Sequence, residues 1–195
     1  YTDANAVHVS TKVLNLDMTE KFANESTVDL PGDGVTKVVS LPEIGDLSPT
    51  YFVVLKVSDS TGKLLGSNFY WLSTKPETLD WAKSTWFNTP TLSYADFTGL
   101  SELPKVKLNV TQESERKGDR EITRVTVENP SKSLAFFVRL KLKKGAGGQE
   151  ILPVLWQDNY ISLLPGEKRV LTAEYRGSEL GAEKPVIEIQ GWNTE

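Results

Sequence analysis

The chain has 195 residues, no cysteine, a single histidine and a net charge of −4 at pH 7. That length suits two β-sandwiches of about 90 to 100 residues each, and the missing cysteines exclude disulfides, thiolate catalysis and cysteine-ligated zinc together. The acidic balance argues against non-specific nucleic-acid binding, which needs clustered Lys and Arg, and no stretch nears the roughly 18 consecutive apolar residues of a membrane-spanning helix.

From the polar, strand-like opening at Tyr1 the chain enters residues 6–16, where Val7, Val9 and Val13 share one parity and Leu14 and Leu16 the other. The alternation slips once, which predicts a strand interrupted by a β-bulge. Val28-Asp29-Leu30 runs into the dense turn signal Pro31-Gly32-Asp33-Gly34, and Val35 to Leu41 resumes a strand pattern. Thr50 to Ser58 is apolar on both parities and is expected at the centre of a sheet, covered on both faces. Asp59-Ser60-Thr61-Gly62 turns the chain back into Lys63 to Leu72. About five strands are thus expected in residues 1–74, against the seven or so of a free-standing immunoglobulin-type sandwich. Either this is an unusual small sheet, or its opening strands lie before Tyr1 and leave an open edge able to pair with another chain.

Residues 75–104 break the period. Leu79, Ala82 and Trp86 carry a weak helical signal after Pro76-Glu77, and Asp96 is placed to cap a short turn containing Leu100. Three of the five tryptophans, Trp71, Trp81 and Trp86, crowd this interval. Rings of that size remove much area from water where two surfaces meet, so they are expected to be buried as the joint between two domains.

From Lys105 the period of two is regular. Val106, Leu108 and Val110 share a face, as do Thr123, Val125 and Val127; Phe136, Val138, Leu140 and Leu142 alternate with Arg139, Lys141 and Lys143. Segments at 151–156, 160–164, 169–175 and 185–191 complete seven strands, so residues 105–195 read as an immunoglobulin-like sandwich. The fold class is all-β, two such sandwiches in tandem.

Few residues carry chemistry. His8 lies mid-strand between Val7 and Val9 with no nucleophile in the pattern, so it reads as a surface residue. One histidine and no cysteine leave no zinc site, and Gly145, Gly147 and Gly148 precede a strand where a phosphate loop needs a helix. No cofactor, metal or catalytic residue is expected. The acids lie in turns or on wet parities, and Arg139, Lys141, Lys143 and Lys144 read as a solubilising face. The constellation suited to stacking on a sugar ring is Trp156-Gln157-Asp158-Asn159-Tyr160, with Trp156 and Tyr160 as the aromatic pair, although a Trp at a strand end is more often core.

Asn68-Phe69-Tyr70-Trp71-Leu72-Ser73, Leu79-Asp80-Trp81, Ser84-Thr85-Trp86, Thr89-Pro90 and Tyr94-Ala95-Asp96 together resemble the segment after the catalytic barrel in glycoside hydrolase family 2, in its exo-β-glucosaminidase and β-mannosidase branch. Asp158-Asn159-Tyr160 with Leu163-Leu164-Pro165-Gly166-Glu167 is similar to the terminal immunoglobulin-like domain of those enzymes. The family's catalytic glutamates lie on a (β/α)8 barrel, whose alternating pattern this sequence lacks, so neither maps to any position here. The resemblance implies non-catalytic bracing domains whose partner is that barrel in the same chain, with oligosaccharide substrate nearby and a periplasmic or extracellular bacterial location. Two other readings stay open: a carbohydrate-binding sandwich, or a cell-surface adhesion or scaffold pair.

Overall fold

The computed structural model describes residues 2–195, so Tyr1 itself lies outside it. The chain divides into two units, Tyr1–Glu102 and Leu103–Glu195.

In the first unit, β1 (Ala4–Asn15), β2 (Glu20–Leu30), β3 (Thr50–Ser58) and β4 (Leu64–Ser73) form one antiparallel sheet in the order β2-β1-β3-β4. β3 is flanked on both sides, as its continuous apolar run requires, and Phe52, Val53 and Val54 are buried on alternate faces. The hairpin to β4 closes because Asp59 Oδ1 accepts from the backbone N–H groups of Thr61 and Lys63, at 2.9 and 3.0 Å, while Gly62 takes φ +84°, a value costly for any residue with a Cβ.

Two expectations need correction. Val35 to Leu41 forms no strand, and Val35 is almost wholly exposed; residues 37–39 lie over the face carrying Val9, Leu55 and Gly66 without joining the ladder. The change of parity at Leu14 is not a bulge in β1, which stays in register with β3 from His8 to Asn15. Leu14 is buried because both faces are covered at that end, where Thr50 Oγ1 donates to Asp96 O at 2.9 Å and Gly99 abuts Leu16. The irregularities lie elsewhere: β1 bulges between Ala4 and Val7, with Ala6 at φ 52°, and β2 slips opposite Val13 and Leu14.

The second unit is a two-layer sandwich. One sheet contains β10 (Leu155–Trp156), β12 (Lys168–Arg176), β8 (Arg120–Glu128) and β7 (Asn109–Lys117) in that order; the other contains β11 (Ile161–Leu163), β9 (Ala135–Lys144) and β13 (Pro185–Gln190). Period-two burial supplies the core: Val125 and Val127 from β8 and Leu171 from β12 meet Val138 and Leu140 from β9 and Leu163 from β11. A second cluster gathers Leu142, Ile151, Tyr175 and Leu180. Tyr175 is sealed in with its hydroxyl 2.9 Å from Thr123 Oγ1, and burial pushes its phenol above the ordinary 10.

The strand count of seven agrees with the sequence, but the first strand is displaced. Val106 forms only a parallel bridge to Thr194, and β7 occupies the polar run Asn109–Lys117. A two-residue loop led by Gly118 at φ +68° returns that run into β8, with Lys117 opposite Arg120.

Candidate functional site

Two aromatic features stand out, one in each unit. In the first unit β5 (Thr78–Leu79) pairs with β6 (Thr91–Ser93), and the chain between them forms a small hairpin head. Asp80 opens a 3₁₀ turn, Trp81–Lys83, by accepting from Lys83 N through its side chain. Beyond it Thr85 N donates to Asn88 O at 2.7 Å, Asn88 N donates to Thr85 Oγ1 at 3.2 Å, and the hydroxyls of Ser84 and Thr89 lie 2.7 Å apart. The tip of this hydrogen-bonded loop carries Trp86 and Phe87, ring centroids 5.0 Å apart, edge to face.

The joint tryptophans are not buried as expected. Trp86 is 94% exposed and Trp81 72%, while Trp71 on β4 is 38% exposed. Leu92 and Tyr94 are also exposed. For Trp81 and Trp86 the physical reason is local: the hairpin closes its hydrogen bonds within itself, so its rings can stand out from the first unit. Residues assigned to a joint over 75–104 belong, up to Glu102, to the first unit.

In the second unit the pair expected to stack on sugar does not form. Trp156 pairs across β12 at Ala173 and packs, half-buried, against both hydrophobic clusters; it is a core residue. Tyr160 lies ahead of β11, half exposed, and its ring meets Phe137, centroids 5.3 Å apart. Phe137, Arg139, Tyr160, Gln190, Gly191 and Trp192 line a shallow cleft of about 300 Å³. Trp192 and Phe137 were not singled out by sequence, because a Trp near the chain end and a Phe on an outward parity carry no distinctive spacing.

Side-chain amides shape this unit. Asn193, 1% exposed, accepts from Phe136 N at 2.8 Å and donates to Pro104 O and Leu134 O at 2.7 Å each. Asn159 accepts from Leu140 N at 2.8 Å and returns a bond to Leu140 O at 2.9 Å, standing in for a strand where β11 has not yet begun. Fully buried Asn129 donates to Ser133 O, Leu163 O and Leu164 O. Gln112 crosses between the sheets, donating to Pro185 O at 2.7 Å and accepting from Ile187 N at 2.8 Å.

The charged face of β9 is paired. Arg139 bonds both oxygens of Glu150 at 2.8 and 3.1 Å, and Lys143 and Lys141 hold Glu188, keeping its carboxyl below the ordinary 4.5, with the Lys143 bond the larger cause. His8 is exposed, with Nδ1 3.0 Å from Thr27 Oγ1. Among the described residues no group of three or more His, Cys, Asp or Glu gathers where an ion could sit.

These features define an all-β protein of immunoglobulin-like sandwich type whose exposed specialisations are aromatic surfaces. The chain belongs to the family described as the exo-β-D-glucosaminidase Ig-fold domain, whose model matches residues 86–194. It is 42% identical over 191 residues to an exo-β-D-glucosaminidase of Amycolatopsis orientalis, covering 95% of this chain and 18% of that protein. With the exo-β-D-glucosaminidase of Arthroderma benhamiae it shares 35% identity over 197 residues, covering 98% and 21%. The crystal structure of the Amycolatopsis orientalis exo-chitosanase CsxA superposes with a TM-score of 0.93 at 38% identity, covering 99% of this chain and 23% of that one. The chain thus spans about a fifth of the length of the curated relatives it matches.

Proposed function

We propose that this chain works as a non-catalytic, bracing part of a larger family 2 glycoside hydrolase that cleaves β-linked glucosaminides or mannosides, with the catalytic (β/α)8 barrel of the same larger chain as its partner. The observation that carries this reading is the bare aromatic hairpin of the first unit. A Trp and a Phe meet edge to face at the tip of a hydrogen-bonded loop, with Trp81, Leu92 and Tyr94 of the same hairpin segment also exposed, and such a concentration of bare large apolar side chains marks a surface that something covers. The short coverage of the relatives supplies the candidate cover, since about four fifths of each relative lies outside the matched segment. A polymeric substrate cannot enter a cell intact, so the proposed location is the periplasm or the exterior of a bacterium.

The test uses p-nitrophenyl-β-D-glucosamine, the ligand named in a solved structure of the Amycolatopsis orientalis exo-chitosanase. The chain alone is expected to show no turnover. A version of the larger enzyme carrying Trp86→Ala and Phe87→Ala is expected to melt lower and lose activity faster on warming than its parent. Turnover by the chain alone, or indifference of the larger enzyme to both substitutions, refutes the reading.

A further inference from the structure

The cleft of the second unit, independent of the bracing role, has the makings of a binding site. Among the described residues six non-glycine residues hold positive φ, and two of them, Phe137 at 53° and Tyr160 at 55°, are aromatic residues whose rings meet in this cleft. Bulky side chains avoid that region, so its adoption twice at one contact marks a conformation imposed by the surroundings. The imposing groups are visible. Asn159 ties Tyr160's own segment to Leu140, its Oδ1 also accepting from Tyr160 N at 2.9 Å. On the other wall Trp192 N donates to Phe136 O at 3.0 Å, and Asn193 holds Phe136 N. Phe137 points outward between the buried Phe136 and Val138, and there the pairing of β9 with β11 slips.

The lining combines three aromatic rings with sparse polar groups. Arg139 places its guanidinium 6.0 Å from the Tyr160 ring centroid, and Tyr160 and Gln190 bring a hydroxyl and an amide to the lining. Flat apolar faces beside a few hydrogen-bonding groups match the amphipathic surface of a pyranose, whose C–H face stacks while its rim of hydroxyls needs donors and acceptors. Charge selects among sugars. The lining holds no carboxylate, and its one charged group is a cation whose partner Glu150 lies outside the lining.

We infer that the cleft formed by Phe137, Tyr160, Trp192, Arg139 and Gln190 binds an uncharged β-linked oligosaccharide, taking a neutral or N-acetylated pyranose and discriminating against the cationic glucosamine unit. Such a site holds a different part of a mixed polymer from the one a glucosaminidase would cleave.

The experiment titrates the full 195-residue chain with three hexamers, N-acetylglucosamine, mannose and glucosamine, following heat and tryptophan emission. Saturable binding of at least one neutral hexamer is expected, with affinity for the glucosamine hexamer lower by about tenfold or more, near 1.4 kcal/mol. Tyr160→Ala and Gln190→Ala should each weaken the neutral sugar, while Trp86→Ala, in the other unit, should leave it unchanged. Tyr160→Phe serves if Tyr160→Ala fails to fold, and is expected to bind more weakly through loss of the hydroxyl alone. No saturation by either neutral hexamer overturns the inference, as does equal affinity for the cationic one or unchanged binding in the Tyr160 and Gln190 variants. Protection of the cleft by a protein segment of the larger enzyme, without sugar binding, assigns it to docking and overturns it too.

Discussion

The residues that hold the second unit in shape are amides. A side chain that both donates and accepts can complete two or three orphaned backbone groups at once, so Asn129, Asn159, Asn193 and Gln112 do for the loops what ladders do for strands. Losing one strands several buried partners. Asn129→Ala leaves the carbonyls of Ser133, Leu163 and Leu164 without that donor and is expected to lower unfolding free energy by about 3 kcal/mol, read from urea denaturation. Asn129→Asp, equal in size, should also destabilise because it removes the donors; a near-neutral result for both would show the carbonyls find other partners. Gln112 was illegible in the sequence for the same reason it matters. A polar residue in a polar run signals solvent, and only the approach of β13 turns it into a bridge between sheets.

At the scale of elements, burial and paired charge act in different ways. β12 sends Leu171, Ala173 and Tyr175 into the sandwich, and Leu171→Ala is expected to cost about 2–5 kcal/mol through lost transfer energy and a residual cavity. β9 and β13 are joined outside by Glu188 with Lys143 and Lys141, at 2.7 and 3.4 Å. Because that carboxyl is held below its ordinary 4.5, its contribution is present above that value and is lost as pH falls through the depressed folded one. Glu188→Gln should therefore narrow its stability gap from the parent chain as pH falls below 4.5, and melting curves across that range check it. A gap that widens with acid would contradict the linkage. Strand signals were readable where apolar residues alternate, as in β8, β9 and β12, and failed where they do not. β7 was hidden by Glu, Ser, Arg and Lys, and Val35–Leu41 imitated a strand without finding an edge to pair with.

For the whole molecule, the aromatic hairpin divides stability from function. Trp86 contributes little to its own unit at 94% exposure, so Trp86→Ala is expected to change the stability of this chain by no more than about 0.5 kcal/mol. The same substitution in the larger enzyme should be felt strongly, and a comparable effect in both settings would mean that the ring is not held for a partner. The tryptophans of residues 71–86 were expected from sequence to be buried in a joint, whereas Trp81 and Trp86 are largely exposed. The hairpin closes on itself and leaves the rings of Trp81 and Trp86 outside.

Period-two alternation, turn chemistry and the motifs from Asn68 to Asp96 were enough to determine an all-β chain, the alternating strands β8, β9 and β12 and its glycosidase kinship, because each is a local property of neighbouring residues. Tertiary structure alone decided which aromatics are bare. Trp156 and Tyr160 stand four residues apart with similar chemistry, yet one faces the core and the other a cleft. That sorting depends on bulges, positive-φ residues and amide bonds between segments far apart in the chain, and long-range pairing leaves no periodic trace in a sequence.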